Sequence, residues 1–586
     1  MTKFFLLILQ KNLMKNNGIS KTTISEATSR NWKRLHSNGS GRLMSRANKQ
    51  LSTKTILPIE YFSNKDNVAD IQRFVNYCKE QNYSIEEVIF SVGLRLLQEA
   101  SLLEKSHVSA TLETLKPLLS LQTLLQLPPL PSDETDLLGL LYQCFLLEGE
   151  KNRKGSYYTP FEVARNMVKN LDFSKGQTFF DPCCGSGAFI LALEGVSPSQ
   201  IFACDNDPIA VMIAKINLLL KFQDEEFEPQ IYCCDYLSPK ALKAPRIPKA
   251  SYIISNPPWG AAIFDEQNNP IPTKESFSFF FEKAFQQLEN EGIIRFLLPE
   301  SILNVKTHRN FRKFLLENTD IQSITRYSGT FSGVQTKYID IQCCHSEPRR
   351  GEEPHKRFVK VYEDGSSRSV SKDAFYLTKN LNFNLLSNFD LEKVQKILAK
   401  GKYTLKDSIW ALGVITGDNK NKVKTKQGRG MEPIYTGKEI EAYTLKQPRK
   451  FIKYERSDFQ QVAKDEIYRA DEKLVYKFIS KNLVFAYDNN KSLFLNSANI
   501  LIPKIPGMSI KTVLAFLNSE LFKFLYKSLF GEIKILKGNL MELPFPEITP
   551  ETDRKLTKLV DEVLKGNQNA IKTIDNIIFD VFEIKQ

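Results

Sequence analysis

The run Ser251-Tyr252-Ile253-Ile254 leads through Ser255 into Asn256-Pro257-Pro258-Trp259. An apolar stretch of this length, stopped by two prolines, predicts a strand buried on both faces of a parallel sheet and followed by a rigid loop. The prolines fix φ at two positions and keep Asn256 out of the helical region. The Asn256 amide and the Pro257 carbonyl can then point into one pocket beside the Trp259 ring. Two acceptors next to an aromatic ring suit a flat base with an exocyclic amine. The same tetrapeptide also fits an ordinary turn, so the upstream sequence has to decide.

That sequence is Phe179-Phe180-Asp181-Pro182-Cys183-Cys184-Gly185-Ser186-Gly187-Ala188-Phe189-Ile190, an apolar strand, a glycine turn and the start of a helix. Gly185 and Gly187 allow the backbone to turn tightly against a ligand, while Ile190 stands where a dinucleotide fingerprint has its third glycine, which argues against a nicotinamide cofactor. The next strand, 201–204, ends in Asp205-Asn206-Asp207, at the spacing where an acid grips ribose hydroxyls; a third, 231–234, ends in Asp235-Tyr236. An acid after each successive strand is the pattern of an open α/β sheet that holds an adenosine along its carboxyl ends. Simpler roles compete: Asp181 as a brace for the glycine loop, Asp207 as a helix N-cap, Tyr157 as core.

Taken together, these residues resemble the gamma-class N6-adenine DNA methyltransferases, which use S-adenosyl-L-methionine. Gly155-Ser156-Tyr157-Tyr158-Thr159-Pro160 looks like the motif that closes over the methionine part of the cofactor, and Leu138-Gly139 with Tyr142 matches the helix before it. Residues 292–304 look like the family's fifth strand and following loop, and 329–336 resemble a hairpin whose aromatic, here Phe331, packs on a flipped base. Trp259 stands where the family more often has Tyr or Phe and keeps a stacking face. The resemblance implies a Rossmann-like methyltransferase sheet with an N-terminal helical region and a mixed α/β C-terminal DNA recognition domain. It implies a cofactor site of Tyr158, Thr159, Pro160, Asp181, Gly185, Gly187, Asp205, Asn206, Asp235 and Tyr236. The catalytic set would be Asn256, Pro257, Pro258, Trp259 and Phe331, with no metal.

The chemistry fits those residue types. An adenine amine is a poor nucleophile because its lone pair is delocalised into the ring. Drawing its hydrogens toward Asn256 Oδ1 and the Pro257 carbonyl favours a tetrahedral nitrogen, so the protein supplies positioning and charge complementarity. The target is out of reach inside a duplex, so the base must leave the stack, with Trp259 and Phe331 replacing the lost stacking.

The 586 residues allow three or four domains, and the formal charge of +13 is uneven. Residues 1–60 carry 11 Lys or Arg against 2 acids, and residues 401–545 carry 25 against 15, so both flanks are candidate phosphate-binding faces, although such runs are usually solvated surface. Residues 1–60 read as a basic arm in which 19–35 is either a small helix-turn-helix or a plain amphipathic helix. Residues 61–134 read as a helical domain, 135–345 as the catalytic domain, 346–399 as an insertion and connector, 400–545 as the target recognition domain, similar to that of TaqI-like enzymes, and 546–586 as a closing helix. The cysteine pairs 183/184, 233/234 and 343/344 read as small buried hydrophobes, and no Cys/His spacing supports zinc. The apolar run 4–9 is too short to span a membrane, and either Met1 or Met14 serves as the start.

The expected protein is a cytoplasmic, DNA-associated bacterial monomer acting on double-stranded DNA, with any restriction endonuclease encoded separately because no PD…(D/E)xK cluster is evident. The runner-up is a protein glutamine N5-methyltransferase, whose family shares an NPPY-type loop but needs no basic C-terminal domain. A DNA-binding specificity subunit with a dead catalytic core is disfavoured by the intact cofactor motifs.

Overall fold

The computed structural model describes residues 57–115, 125–131, 133–147, 158–238, 247–259, 263–264, 270–271, 276–330, 337–345, 358–531 and 534–585. The basic arm up to residue 56, Gly155 to Tyr157, and the loop 331–336 with Phe331 lie outside the described residues. Two compact units emerge, one ending at Leu391 and one comprising Glu392–Gln586 with an N-terminal stretch outside the described residues.

The first unit begins with helices α1 (Val68–Glu80), α2 (Ile85–Glu99), α3 (Ser106–Leu115) and α4 (Leu137–Phe145). Sequence punctuation starts two of them: Ser84 Oγ caps α2 by accepting from the Glu87 N–H, and Asp136 caps α4 by accepting from the Gly139 N–H. Their apolar faces form one cluster with Met212, Ile213, Ile216 and Leu219. Those four residues belong to the helix Pro208–Lys221.

That helix flanks a nine-stranded sheet. Its strands in chain order are β1 (Phe179–Asp181), β2 (Ile201–Asp205), β3 (Ile231–Cys233), β4 (Ala250–Ser255), β5 (Leu288–Pro299), β6 (Thr319–Thr330), β7 (Lys337–His345), β8 (Phe358–Glu363) and β9 (Ser366–Ser371). Spatially they run β9-β8-β6-β7-β5-β4-β1-β2-β3. The run from β3 to β5 is parallel, and β7 enters antiparallel between β5 and β6. Successive residues of the central strands enter different cores: Phe180, Ile253 and Phe296 join one apolar cluster, Phe179, Ile254 and Leu297 the other. A sheet covered on both faces accounts for the unbroken apolar runs in the sequence. The strand order reverses at β1, flanked by β2 on one side and β4 on the other, and it is outside the carboxyl ends at such a switch point that open α/β sheets bind ligands.

Two sequence expectations need correction here. The polar segment after residue 345 is not only an exposed insertion, since β8 pairs parallel with β6 and β9 completes the edge. Phe375, Phe383 and Leu391 then bury in the same core as the sheet, so this unit runs on past 345. Alternation along β8, with Val359 and Val361 buried between exposed residues, and the burial of Val370 after an exposed stretch of β9, are the pattern of an edge hairpin, hidden in the sequence by its charge.

In the second unit an antiparallel sheet orders Ile409–Leu412, Ala498–Ile502, Lys473–Lys477 and Phe485–Asp488. A second four-stranded sheet is built from strands of two to four residues between 423 and 494. The chain end forms two helices, Pro550–Leu564 and Ala570–Val581, where the sequence suggests one. Gly566, at φ 102°, falls between them.

Candidate active site

The carboxyl ends of β1, β2 and β4 converge on a closed circuit of contacts. β1 delivers Asp181, fully buried, whose Oδ1 accepts from the Cys183 N–H (3.0 Å) and from Ser255 Oγ (2.7 Å) at the end of β4. Its other oxygen, Oδ2, is buried with no hydrogen-bond partner. Burial pushes the Asp181 carboxyl up to about 7, with Asp205 adding to the rise. Asp205, at the end of β2, accepts from the Gly185 N–H (2.9 Å) through one oxygen and from the Asp207 N–H (2.9 Å) through the other. Desolvation raises it to about 6.

Gly185 adopts φ 53°, and a Cβ there would stand 3.0 Å from the Tyr158 ring, so the glycine is required both by conformation and by contact. Tyr158 is buried, with its hydroxyl unpartnered, and its backbone carbonyl accepts from the Tyr61 hydroxyl. Beside it, the buried Thr159 accepts from Asn256 Nδ2 at 3.2 Å. The loop after β4 is thus joined to the segment 158–160 through Asn256 and to the glycine loop through Ser255 and Asp181. Gly187, at φ 89°, starts the helix Ala188–Ala192, and the buried Pro160 starts the helix Phe161–Val168.

The Asn256-Pro257-Pro258-Trp259 loop is itself pinned. Ser276 Oγ donates to the Pro258 carbonyl, and Trp259 Nε1 donates to the Leu297 carbonyl on β5 at 3.2 Å. Trp259 packs against both apolar clusters while remaining half-buried. Asn206 and Asp235 are exposed at the ends of β2 and β3, with Asp235 Oδ1 accepting from the Leu237 N–H.

Two sequence readings change, those of Tyr236 and Cys233, and the choice between two roles for Asp207 is decided. Tyr236 packs in the core rather than at the strand ends: its ring stacks on Phe280, and its hydroxyl donates to Gln287. Asp207 is an N-cap that accepts from the Ile209 N–H and from the Tyr142 hydroxyl. Cys233 is exposed, unlike the buried Cys184, Cys204 and Cys343. Sequence reasoning also misses the brace behind the glycine loop. There Asp136 accepts from Ser186 Oγ and from Asn217 Nδ2 (2.9 Å), and Asn217 Nδ2 also donates to the Ser186 carbonyl. A Cβ on Gly139 would stand 2.6 Å from Ser186 Cβ, so this helix start closes onto the loop only because residue 139 is glycine.

Residues 133–337, which contain the glycine loop, the proline loop and the brace, match the model of the N-6 DNA Methylase family, and residues 432–545 match the TaqI-like C-terminal specificity domain. The chain carries an N-6 DNA methylase domain followed in sequence by a TaqI-like specificity domain. It is similar to the Type II methyltransferase M.VspI of Vibrio sp. (strain 343), with 29% identity over 319 residues, covering 51% of this chain and 74% of that protein. It is 27% identical over 234 residues to the Type I restriction enzyme EcoEI methylase subunit of Escherichia coli, covering 36% of this chain and 46% of that subunit. It therefore spans less than half the length of that subunit. Among solved structures, the Type IIL restriction-modification enzyme MmeI, in complex with DNA, shares the fold at TM-score 0.58 and 14% identity, over 89% of this chain and 96% of that one. The methyltransferase is adenine-specific toward DNA and takes its methyl group from S-adenosyl-L-methionine. The specificity domain behind the catalytic one separates it from the glutamine methyltransferases. Among the described residues no group of His, Cys, Asp and Glu could hold a metal ion, and no helix is long and apolar enough to cross a membrane.

Proposed function

We propose that this methyltransferase is the modification component of a restriction-modification system. In this reading Asn256 and the Pro257 carbonyl hold the target amine, and the second unit selects the DNA site. The observation that carries it is the Asn256–Thr159 hydrogen bond, which engages the amide's donor side with a neighbouring motif and fixes which way its acceptor oxygen faces. That oxygen and the Pro257 carbonyl accept the two amine hydrogens. Trp259, held by Leu297, offers the face on which an extruded adenine stacks, and Phe331 is the second stacking aromatic that the sequence resemblance implies.

The strand ends fit S-adenosyl-L-methionine. When bound, it supplies a methyl group already activated on a sulfonium. Asp181, with an unpartnered buried oxygen, and Asp205 offer negative charge to a cationic ligand. Gly185 and Gly187 let the backbone approach it, and Tyr158, Thr159 and Pro160 wall one side. Asn206 and Asp235, exposed at the strand ends, serve the adenosine hydroxyls and base edge in this reading. Asp205 acts twice, as a ribose acceptor and as the group that ties Gly185 into its turn. The enzyme works as a cytoplasmic monomer beside a separately encoded endonuclease.

Asn256→Ala tests this. Losing one such positioned group costs about 10² to 10³ in turnover, while calorimetry should find S-adenosyl-L-methionine affinity nearly unchanged. A variant that transfers methyl to DNA at the wild-type rate would remove Asn256 from the mechanism.

A further inference from the structure

The second unit contains a cleft of ≈ 440 Å³, within the range of about 300 to 1,000 Å³ common for small-ligand sites. Its walls come from Trp410, Tyr476 and Phe478, with Gln461, Asn499 and Lys537 among its polar lining. The sheet register explains how these meet: Asn499 lies opposite Leu412 on one neighbouring strand and opposite Tyr476 on the other. Asn499 is only 4% exposed, yet its Oδ1 has no hydrogen-bond partner. A buried acceptor left unmatched costs stability unless something donates to it.

The rest of the cleft has the chemistry of a nucleotide site. Lys537 Nζ lies 5.9 Å from the centroid of the Trp410 ring, and the Tyr476 ring meets that indole edge-on at 6.3 Å. Lys537 is exposed, as are Lys534 and Lys481. Two large apolar side chains are left in water, Leu412 on the cleft wall and Ile479 next to Phe478 in the chain, at 46% and 64% exposure. Aromatic and apolar faces among lysines suit stacked bases and the phosphates that follow them.

We propose that this cleft is a nucleotide pocket. One base of a DNA strand, out of the helical stack, lies against Trp410 and donates an N–H of its Watson–Crick edge to Asn499 Oδ1, while its phosphate meets Lys537. This nucleotide is a different one from the target adenine, because the pocket is built wholly from residues 410–537. The inference rests on the reading of this unit as the DNA-recognising part.

The test uses the full chain with two probes, a short single-stranded oligothymidylate and free thymidine 5′-monophosphate, together with methyl transfer to bacterial DNA. Trp410→Ala and Asn499→Leu should each weaken oligothymidylate binding by about tenfold or more, with Trp410→Phe retaining most of it. Lys537→Gln should lower the salt slope of binding by about one. An unchanged chemical-denaturation midpoint for the transition that includes residues 392–586, in all four variants, verifies that this unit folds. Wild-type oligothymidylate affinity in both Trp410→Ala and Asn499→Leu would overturn the pocket while leaving DNA methylation by the enzyme intact. Free nucleotide binding as tightly as the oligonucleotide, and weakened by the same variants, would overturn the DNA strand as its source. A wild-type protein that neither binds nor methylates DNA would instead bring down the underlying reading.

Discussion

Asp181 in the catalytic unit and Asp488 in the C-terminal unit are both buried carboxylates at the end of a strand, yet they are satisfied in opposite ways. Asp488 meets the equally buried Lys473 at 2.6 Å and accepts from the Asn490 and Ser492 N–H groups and from Ser492 Oγ. Lys473 in turn donates to the Tyr468 carbonyl at 2.7 Å. Asp181 has a backbone N–H and a serine hydroxyl on one oxygen and nothing on the other. A buried charge with a complete set of partners serves the scaffold, while one missing a partner is a candidate for completion by a ligand.

The comparison is broken most severely at Lys473. Lys473→Met leaves Asp488 buried without its cation, a loss of about 3 to 5 kcal/mol. Chemical denaturation of the full chain should show this as a lower midpoint for the transition that includes residues 392–586. Asp181→Asn should produce no such loss. Equal destabilisation by the two variants would show that the distinction between scaffold and site charge is wrong.

Asp205→Ala gives a smaller effect of a different kind. Removing the acceptor of the Gly185 N–H, which in the proposed reading also accepts from the ribose hydroxyls, should cost about 1.5 to 3 kcal/mol of cofactor binding. DNA affinity should change little. An unchanged dissociation constant for S-adenosyl-L-methionine, measured by calorimetry, would remove Asp205 from the cofactor site.

The same contrast explains what the sequence could disclose. The glycine loop and the proline loop are legible because the backbone turns they need are written in adjacent residues, and their strands are apolar on both faces. The brace behind them is not, since Asp136, Ser186 and Asn217 lie on three separate elements and each looks like an ordinary polar residue. Tyr236 escapes a motif reading because a motif fixes the position of a residue after a strand, not the side to which its ring turns. The edge hairpin 358–371 is masked by its charged neighbours. In the C-terminal unit, short strands bring Trp410, Tyr476 and Asn499 into one cleft, where Gln461 from a loop and Lys537 from the start of a short helix join them, and no local pattern announces a meeting of five separate stretches of chain.

The smallest expected effect is also the most diagnostic, because it depends on the sign of a titration. In the folded protein Asp181 holds its proton up to about 7, whereas an exposed aspartate loses it near 3.8. Between those values the folded state binds a proton that the unfolded state has released, so stability should fall as pH rises from about 4 to about 7 and level off above. Asp205, raised to about 6, contributes in the same direction over a narrower window. A positively charged cofactor prefers the ionised carboxylate, so its binding should tighten as pH rises through the same range and release a proton below about 7. A tenfold change in the acidity of Asp181 on binding corresponds to about 1.4 kcal/mol. Calorimetry of the full chain in buffers of different ionisation enthalpy measures that proton directly, and Asp181→Asn should abolish most of it while flattening the stability profile. A wild-type protein that binds S-adenosyl-L-methionine with no proton exchange at about pH 6, or an Asp181→Asn variant that still releases the full proton, would show that the unpartnered oxygen does not answer to the cofactor.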